Sequence, residues 1–155
     1  MITQELRDFL NRNHVAHQTI EHARTYTAQQ TAQAAHVKGR ELAKTVILSV
    51  DGCMCMAVLP AHYHIDLDRF RMLTGTDHVE VAPECDIMHL FPHCETGAMP
   101  PFGNLYGMEV WVQQDLTKDR DIAFNGGTHS EVVRMLWSDY STLVHPCIGD
   151  FAQRH

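Results

Sequence analysis

The apolar positions change period several times along the chain, and each change marks an element. In ITQELRDFLNR, Leu6, Phe9 and Leu10 share one helical stripe with Ile2 four residues before Leu6, so an amphipathic helix is predicted over about 3–13. HVAHQTIEH (14–22) lacks strict alternation at Val15 and Ile20 and reads as a short edge strand. TAQQ then places Thr27 at an N-cap with Gln30 three residues later, a capping box. Ala28, Ala32 and Ala35 run along one side of that helix, small enough for close approach to a sheet, and Gly39 marks its end.

From Lys44 the chain reads KTVILSV, then Asp51-Gly52, then CMCMAVL. Two strand-like runs separated by Asp-Gly predict a hairpin with a tight turn. Both arms are largely apolar, which places the hairpin centrally in the core, and Pro60 stops the second arm. Asp66 caps LDRFRMLTG, with Leu67, Phe70 and Leu73 as its buried side and Gly75 as its stop. VEVA (79–82) is a strand, and Pro83 opens the short helix PECDIMHLF at its permitted first-turn position. MEVWV (108–112), IAFN (122–125) and SEVVRML (130–136) are strands, the last of them the final strand, and DYSTLV (139–144) is a terminal helical turn or two. Helices interleaved with short strands, two of them in a hairpin, predict a mixed α+β (α/β) domain.

With 155 residues the chain has room for one domain with a real core, taken as 1–155. Hydrophobic residues make up 45% and charged residues 20%, a balance that excludes wholesale disorder. Twelve basic against nineteen acidic side chains give a net charge of -7, which argues against broad coating of nucleic acid and against DNA as a partner. A local contact with a nucleic-acid end stays open. Five cysteines, Cys53, Cys55, Cys85, Cys94 and Cys147, form no regular framework. The charged amino terminus lacks a leader's apolar region, and no run approaches the roughly 20 apolar residues of a membrane span. The expectation is a cytoplasmic protein with reduced thiols and no membrane partner.

Twelve histidines raise the question of a metal. Cys53 and Cys55 share one strand face, and His62 and His64 share a two-residue spacing, together a conceivable zinc set. Ala57 and Leu59 continue the cysteine face as plain core, however, so packing is the cheaper reading. His89 and His93 are separated by the helix-breaking Pro92. No metal and no cofactor is expected, and His17, His22, His62, His64, His78, His89 and His93 read as surface, loop or cap residues. The motifs G-x-S-x-G, G-x-G-x-x-G and the phosphate-binding P-loop are absent, which demotes serine hydrolysis, hydride transfer and nucleotide hydrolysis.

Three features carry candidate chemistry. The segment 92–107 is aperiodic, with three glycines and three prolines. Its GAMPPFG core offers backbone amides from Gly97 and Ala98, stiffened by Pro100 and Pro101, either to a carbonyl or ribose or simply as a turn. Lys44 either snorkels to solvent or points into a cleft toward an anionic group. His129, directly after Gly-Gly-Thr, can fix a loop carbonyl, act as a base or fill a turn.

YTAQQTAQAA (26–35), ELAKTVIL (41–48), VLPAHYHIDLDRF (58–70), CETGAMPPFGNLYG (94–107) and FNGGTHSEVVRM (124–135) follow one another in a telling order and spacing. Together they resemble the YbaK and prolyl-tRNA-synthetase-associated family of aminoacyl-tRNA editing domains, particularly its free-standing members. The resemblance covers about His22 to Phe151. It implies a partly barrel-like mixed sheet surrounded by helices, and a deacylase that cleaves, in trans, the ester of a small amino acid mischarged onto tRNA, often tRNA for proline. The implied partners are the mischarged acceptor end and, transiently, an aminoacyl-tRNA synthetase. The implied catalytic residues are Lys44, Gly97 and His129, with Thr45, Ala98, Met99, Pro100, Pro101, Phe102, Gly103 and Gly127 binding substrate. Lys38 and Arg40 are candidates for a local patch on the acceptor end. Thr45 replaces an asparagine found in some alanine-specific relatives, Gly126 stands where alanine is commoner, and Gln113 stands where aspartate is frequent. These departures leave the amino acid open, and a non-catalytic module that binds an aminoacyl or nucleotide end is the alternative.

Overall fold

A computed structural model describes residues 3–25 and 27–154, so Ile2 of the first helical stripe and Tyr26 of the second matched segment lie outside it. The elements in chain order are α1 (Gln4–Arg12), β1 (His17–Glu21), α2 (Ala28–Ala35), β2 (Leu42–Val50), β3 (Cys53–Pro60), β4 (His64–Ile65) and α3 (Leu67–Thr74). There follow β5 (Val79–Val81), α4 (Glu84–Leu90), β6 (Glu109–Gln113), β7 (Asp121–Asn125), β8 (Glu131–Leu136), α5 (Trp137–Val144), β9 (Cys147–Gly149) and β10 (Ala152–Gln153). The main sheet runs β1-β8-β7-β2-β3-β6-β9, with β5 also paired to β2, and helices cover it: a mixed α/β fold, as expected.

The β2–β3 hairpin is the middle of this sheet, in register from Val50 opposite Cys53 to Ala43 opposite Pro60. Asp51 and Gly52 take φ of 50° and 80°, the left-handed pair that a tight hairpin turn requires. The arms are apolar on both sides because both faces of the sheet are covered. Ile47, Met56, Val58 and Phe124 face one cluster with Leu6, Leu10, Phe102 and Tyr140. Leu48, Cys55, Ala57 and Leu59 face another with Phe70 and Phe151, while Leu42, Ala123 and Val132 meet Ala32 and Ala35 of α2.

Several boundaries differ from the sequence expectation. The first hairpin strand begins at Leu42, two residues before Lys44, because Leu42 and Ala43 pair with β7. Helix α2 stops at His36 in the left-handed conformation (φ 58°), three residues ahead of Gly39, which instead opens a short 3-10 turn. Thr27 does cap it, accepting from the Gln30 amide at 3.1 Å. In α3 only Phe70 is buried; Leu73 is 42% exposed, since the helix rests on the sheet through one residue row. Pro83 sits at the N-cap of α4 and not within its first turn.

The strand at 131–136 is not the final one, and α5 is not terminal. β9 adds to β6 in parallel, and β10 pairs with β4. What holds this tail is Gln113, which is fully buried. Its Oε1 accepts from the Phe151 and Ala152 amides at 2.7 and 3.0 Å, and its Nε2 donates to Asp115 and Asp150 at 3.0 and 2.8 Å. All four capacities of the amide are therefore used. An aspartate here lacks both the donors and the reach, so the departure at this position has a structural cause.

Replacing Gln113 by Leu strands two buried amides, each worth about 1–3 kcal/mol when unpaired. Gln113→Leu is expected to lower unfolding stability by about 2–6 kcal/mol, measured by urea denaturation.

Candidate functional site

Parallel pairing of Leu42 with Ala123 and Ala43 with Phe124 brings the start of β2 beside the end of β7. β7 runs into the 126–130 turn, and that turn meets the 92–107 loop. The result is a pocket of about 150 Å³ lined by Lys44, Gly97, Asn125, His129, the α2 cap Thr27 and the α2 residues Ala28 and Thr31, among others. Lys44, Gly97 and His129, separate in sequence, thus stand together. The small side chains of α2 leave the space.

Lys44 projects from the same face of β2 as Leu42, toward α2, and is half-buried. No carboxylate among the described residues lies within ion-pair distance of it, and none lines the pocket. Burial disfavours its charged form and lowers its pKa below the ordinary lysine value. A desolvated, uncompensated ammonium is a ready receptor for an anionic or strongly polar group.

The loop is fastened to the His129 turn at several points. The Glu95 carboxylate accepts from the His129 amide through Oε1 and from the Arg24 guanidinium through Oε2, each at 2.7 Å. The Glu95 amide in turn donates to the Gly127 carbonyl at 2.8 Å. Arg24 first, then the His129 amide, hold the Glu95 carboxyl below its usual range, so the clasp survives moderate acidification. The His129 ring lies 2.7 Å from the Thr96 carbonyl through Nε2. A carbonyl only accepts, so Nε2 carries the proton and donates.

Thr96 and Gly97 form the corner of a turn closed by the Ala98 amide donating to the Glu95 carbonyl at 3.0 Å. Gly97 has φ 82°, as the third position of a type II turn demands, and this is why a glycine is there. Of the two amides expected from this loop, Ala98's is consumed by the turn. Gly97's N–H has no acceptor among the described residues and lies at the pocket, exposed.

The remaining sequence-expected binding residues are not brought to the pocket's lining. Thr45 alternates to the opposite face of β2, with Ala43 and Ile47. Ala98, Met99, Pro100, Pro101, Phe102 and Gly103 are buried. Phe102 sits edge-on against Phe9, Phe124 and Tyr140, and the Tyr140 hydroxyl donates to the Pro101 carbonyl at 2.6 Å. A Cβ on Gly103 would come within 2.6 Å of Val110. Gly127 packs on Thr3. These residues anchor the loop in the core, so that Gly97 is presented rigidly. Lys38 and Arg40, both exposed, are paired with the buried Glu41 (4.0 Å) and with Asp119 (2.9 Å). Among the described residues Cys53, Cys55, His62 and His64 do not come together as a group of three or more metal-ligating side chains.

Asn125 escaped the sequence reading. It lines the pocket, and its side-chain Oδ1 is buried without a hydrogen-bond partner. The only signal in sequence was the pair Asn125-Gly126 at a strand's end, which reads equally well as a turn. Beside the pocket lies a wider groove of about 530 Å³ along α2, lined by Ala28, Gln29, Gln33, Val37 and Arg40, among others.

The chain is similar to known proteins along most of its length. A family model described as the aminoacyl-tRNA editing domain matches residues 22–143. A proline–tRNA ligase of Staphylococcus aureus (strain MRSA252) is 31% identical over 109 residues, 68% of this chain but 18% of the ligase. The chain thus spans about a fifth of the curated relatives it matches. Among solved structures, a candidate trans-editing enzyme for prolyl tRNA synthetase superposes with TM-score 0.84 over 97% of this chain and 96% of its own, at 18% identity. A protein described as hypothetical gives 0.85 over 97% and 100%, at 16% identity. At such identities these two structures speak for the fold alone. On the family model, which spans most of the chain and every residue of the pocket, the chain belongs to the aminoacyl-tRNA editing domain family.

Proposed function

We propose that this chain hydrolyses, in trans, the ester of a small amino acid wrongly attached to a tRNA, with tRNA for proline as the first substrate to test. The observation that carries the reading is the convergence of an uncompensated Lys44, an unused Gly97 amide and His129 in one pocket of about 150 Å³. That volume is well below the roughly 300 Å³ at which drug-sized ligand sites begin. It suits a small aminoacyl group and leaves the attached nucleoside to the groove along α2. The preference for tRNA-Pro draws on the matched ligases and on the solved candidate editing enzyme, and a transient synthetase partner draws on the same names.

The lining offers no carboxylate, thiol or serine hydroxyl to serve as nucleophile. An aminoacyl ester is intrinsically labile, so a positioned water suffices as the attacking group. The Gly97 N–H meets the developing oxyanion, Lys44 orients the ribose or phosphate end by charge, and His129 keeps the Thr96–Gly97 turn in place. The step balances without a protein nucleophile: the water oxygen bonds to the ester carbon, the bond from that carbon to the ribose oxygen breaks, one water proton goes to the departing ribose oxygen, and the other is released to solvent as the amino-acid carboxyl ionises.

Purified protein is expected to release alanine, cysteine, serine or threonine from at least one mischarged tRNA-Pro and to spare prolyl-tRNA. Binding of the acceptor end without release would favour the non-catalytic module instead. Lys44→Met is expected to lower kcat/KM about tenfold or more, the scale of one lost transition-state contact. Because burial lowers the lysine's pKa in the folded state, its charge destabilises the fold at neutral pH; that penalty starts to fall as pH rises past the lowered folded pKa and is gone above the ordinary lysine pKa of the unfolded chain. The same variant should therefore raise Tm at pH 7. A fall in both activity and Tm would assign Lys44 a structural role.

His129→Ala is expected to lower kcat/KM about tenfold by releasing the Thr96 carbonyl. His129→Gln, whose amide can donate to that carbonyl, should recover part of the loss. Equal activity in the two variants would show that the ring does more than hold the loop.

A further inference from the structure

Continuing the β2–β7 register from Leu42–Ala123 and Ala43–Phe124, the next residues on the two strands are Lys44 and Asn125. Matched positions on parallel strands project from one face, and both residues line the same pocket. They differ in what they offer. Lys44 is a donor, as is the Gly97 N–H. The Asn125 Oδ1 is an acceptor, shut away from water and taking no hydrogen bond. Native folds rarely keep a buried acceptor unmatched unless something else fills the place.

The other polar side chains lining the pocket each already make a hydrogen bond within the chain. The Thr31 hydroxyl donates to the Thr27 carbonyl, the Thr27 hydroxyl accepts from Gln30, and His129 Nε2 donates to Thr96. An aminoacyl ester brings a carbonyl, which the free donors match, and an α-amino group, which needs an acceptor. The amino group donates in either protonation state, and Lys44 beside it favours the neutral amine. A carboxylate at position 125 would meet that need too, but it would also pair with Lys44 and take it out of use. A neutral amide carbonyl avoids this.

We propose that Asn125 recognises the α-amino group of the aminoacyl substrate, accepting a hydrogen bond through Oδ1 and so turning the scissile carbonyl toward the Gly97 amide. The assignment rests on the deacylase reading above and adds to it the part of the substrate that fixes its orientation. Asn125 makes the site specific for α-amino acyl groups over acyl groups that lack the amine.

The test uses two non-hydrolysable analogues, 3′-alanylamido-3′-deoxyadenosine and its propionyl counterpart, which lacks only the amine. Equilibrium binding to the wild-type chain should favour the alanyl analogue about tenfold, the scale of one buried hydrogen bond. In Asn125→Ala the two affinities should come within about threefold of each other, with the loss confined to the alanyl analogue. Asn125→Ser supplies the same comparison if the alanine variant does not fold. If Asn125→Ala weakens both analogues equally, or the wild type does not distinguish them while still hydrolysing aminoacyl esters, the role of Asn125 is overturned and the deacylase reading stands. If the wild type neither binds the analogues nor releases amino acid, both fail together.

Discussion

The site depends on one constraint, the short parallel pairing between the start of β2 and the end of β7. Only Leu42–Ala123 and Ala43–Phe124 pair in this way, because β2 turns from β7 to β5 along its length. Those two pairs set Lys44 next to Asn125 and aim the 126–130 turn at the loop. They are buried on both sides, Phe124 against Phe102 and Tyr140, Ala123 against Leu42 and the alanines of α2. A slip of one residue would exchange the two faces of β2 and send Lys44 into the aromatic core.

The proline-bearing loop works through burial as much as through exposure. Its Ala98–Gly103 stretch is core, pinned by Tyr140 and by the close contact of Gly103 with Val110. Its other end is fastened by Glu95 to Arg24 and to the His129 turn. Between these anchors a single residue, Gly97, reaches the pocket with a free N–H. A donor held this way needs no reorganisation when charge develops beside it, which is the requirement for oxyanion stabilisation. His129 contributes by restraint, since its Nε2 is engaged by Thr96.

Much of the fold was legible because it rests on local signals. The Asp-Gly turn, the Thr27 and Asp66 caps and the doubly apolar hairpin arms each state their structure within a few residues. Lys44, Gly97 and His129 were legible as a set only through resemblance; residue chemistry alone left each with an ordinary structural alternative. Asn125 stayed hidden because its meaning comes from a strand more than 75 residues away, through a register no local pattern encodes. The tail was missed for a related reason. β9 and β10 are too short to show alternation; β9 is held by pairing with β6, and the chain entering β10 by the side chain of Gln113, which alone reads as one more polar residue after a strand.

On the proposed reading the aminoacyl end of a tRNA enters between Lys44 and the Gly97 turn. Backbone amide chemical shifts, followed while a non-hydrolysable aminoacyl-adenosine amide is titrated in, test this without relying on turnover. Entry there should place the largest changes on Gly97, its neighbour Thr96 and residues 125–130, with weaker ones along α2 and none around the Gln113-held tail. Changes concentrated at the far groove formed by Val50, Leu73 and Trp111, with Gly97 and His129 unmoved, would contradict it.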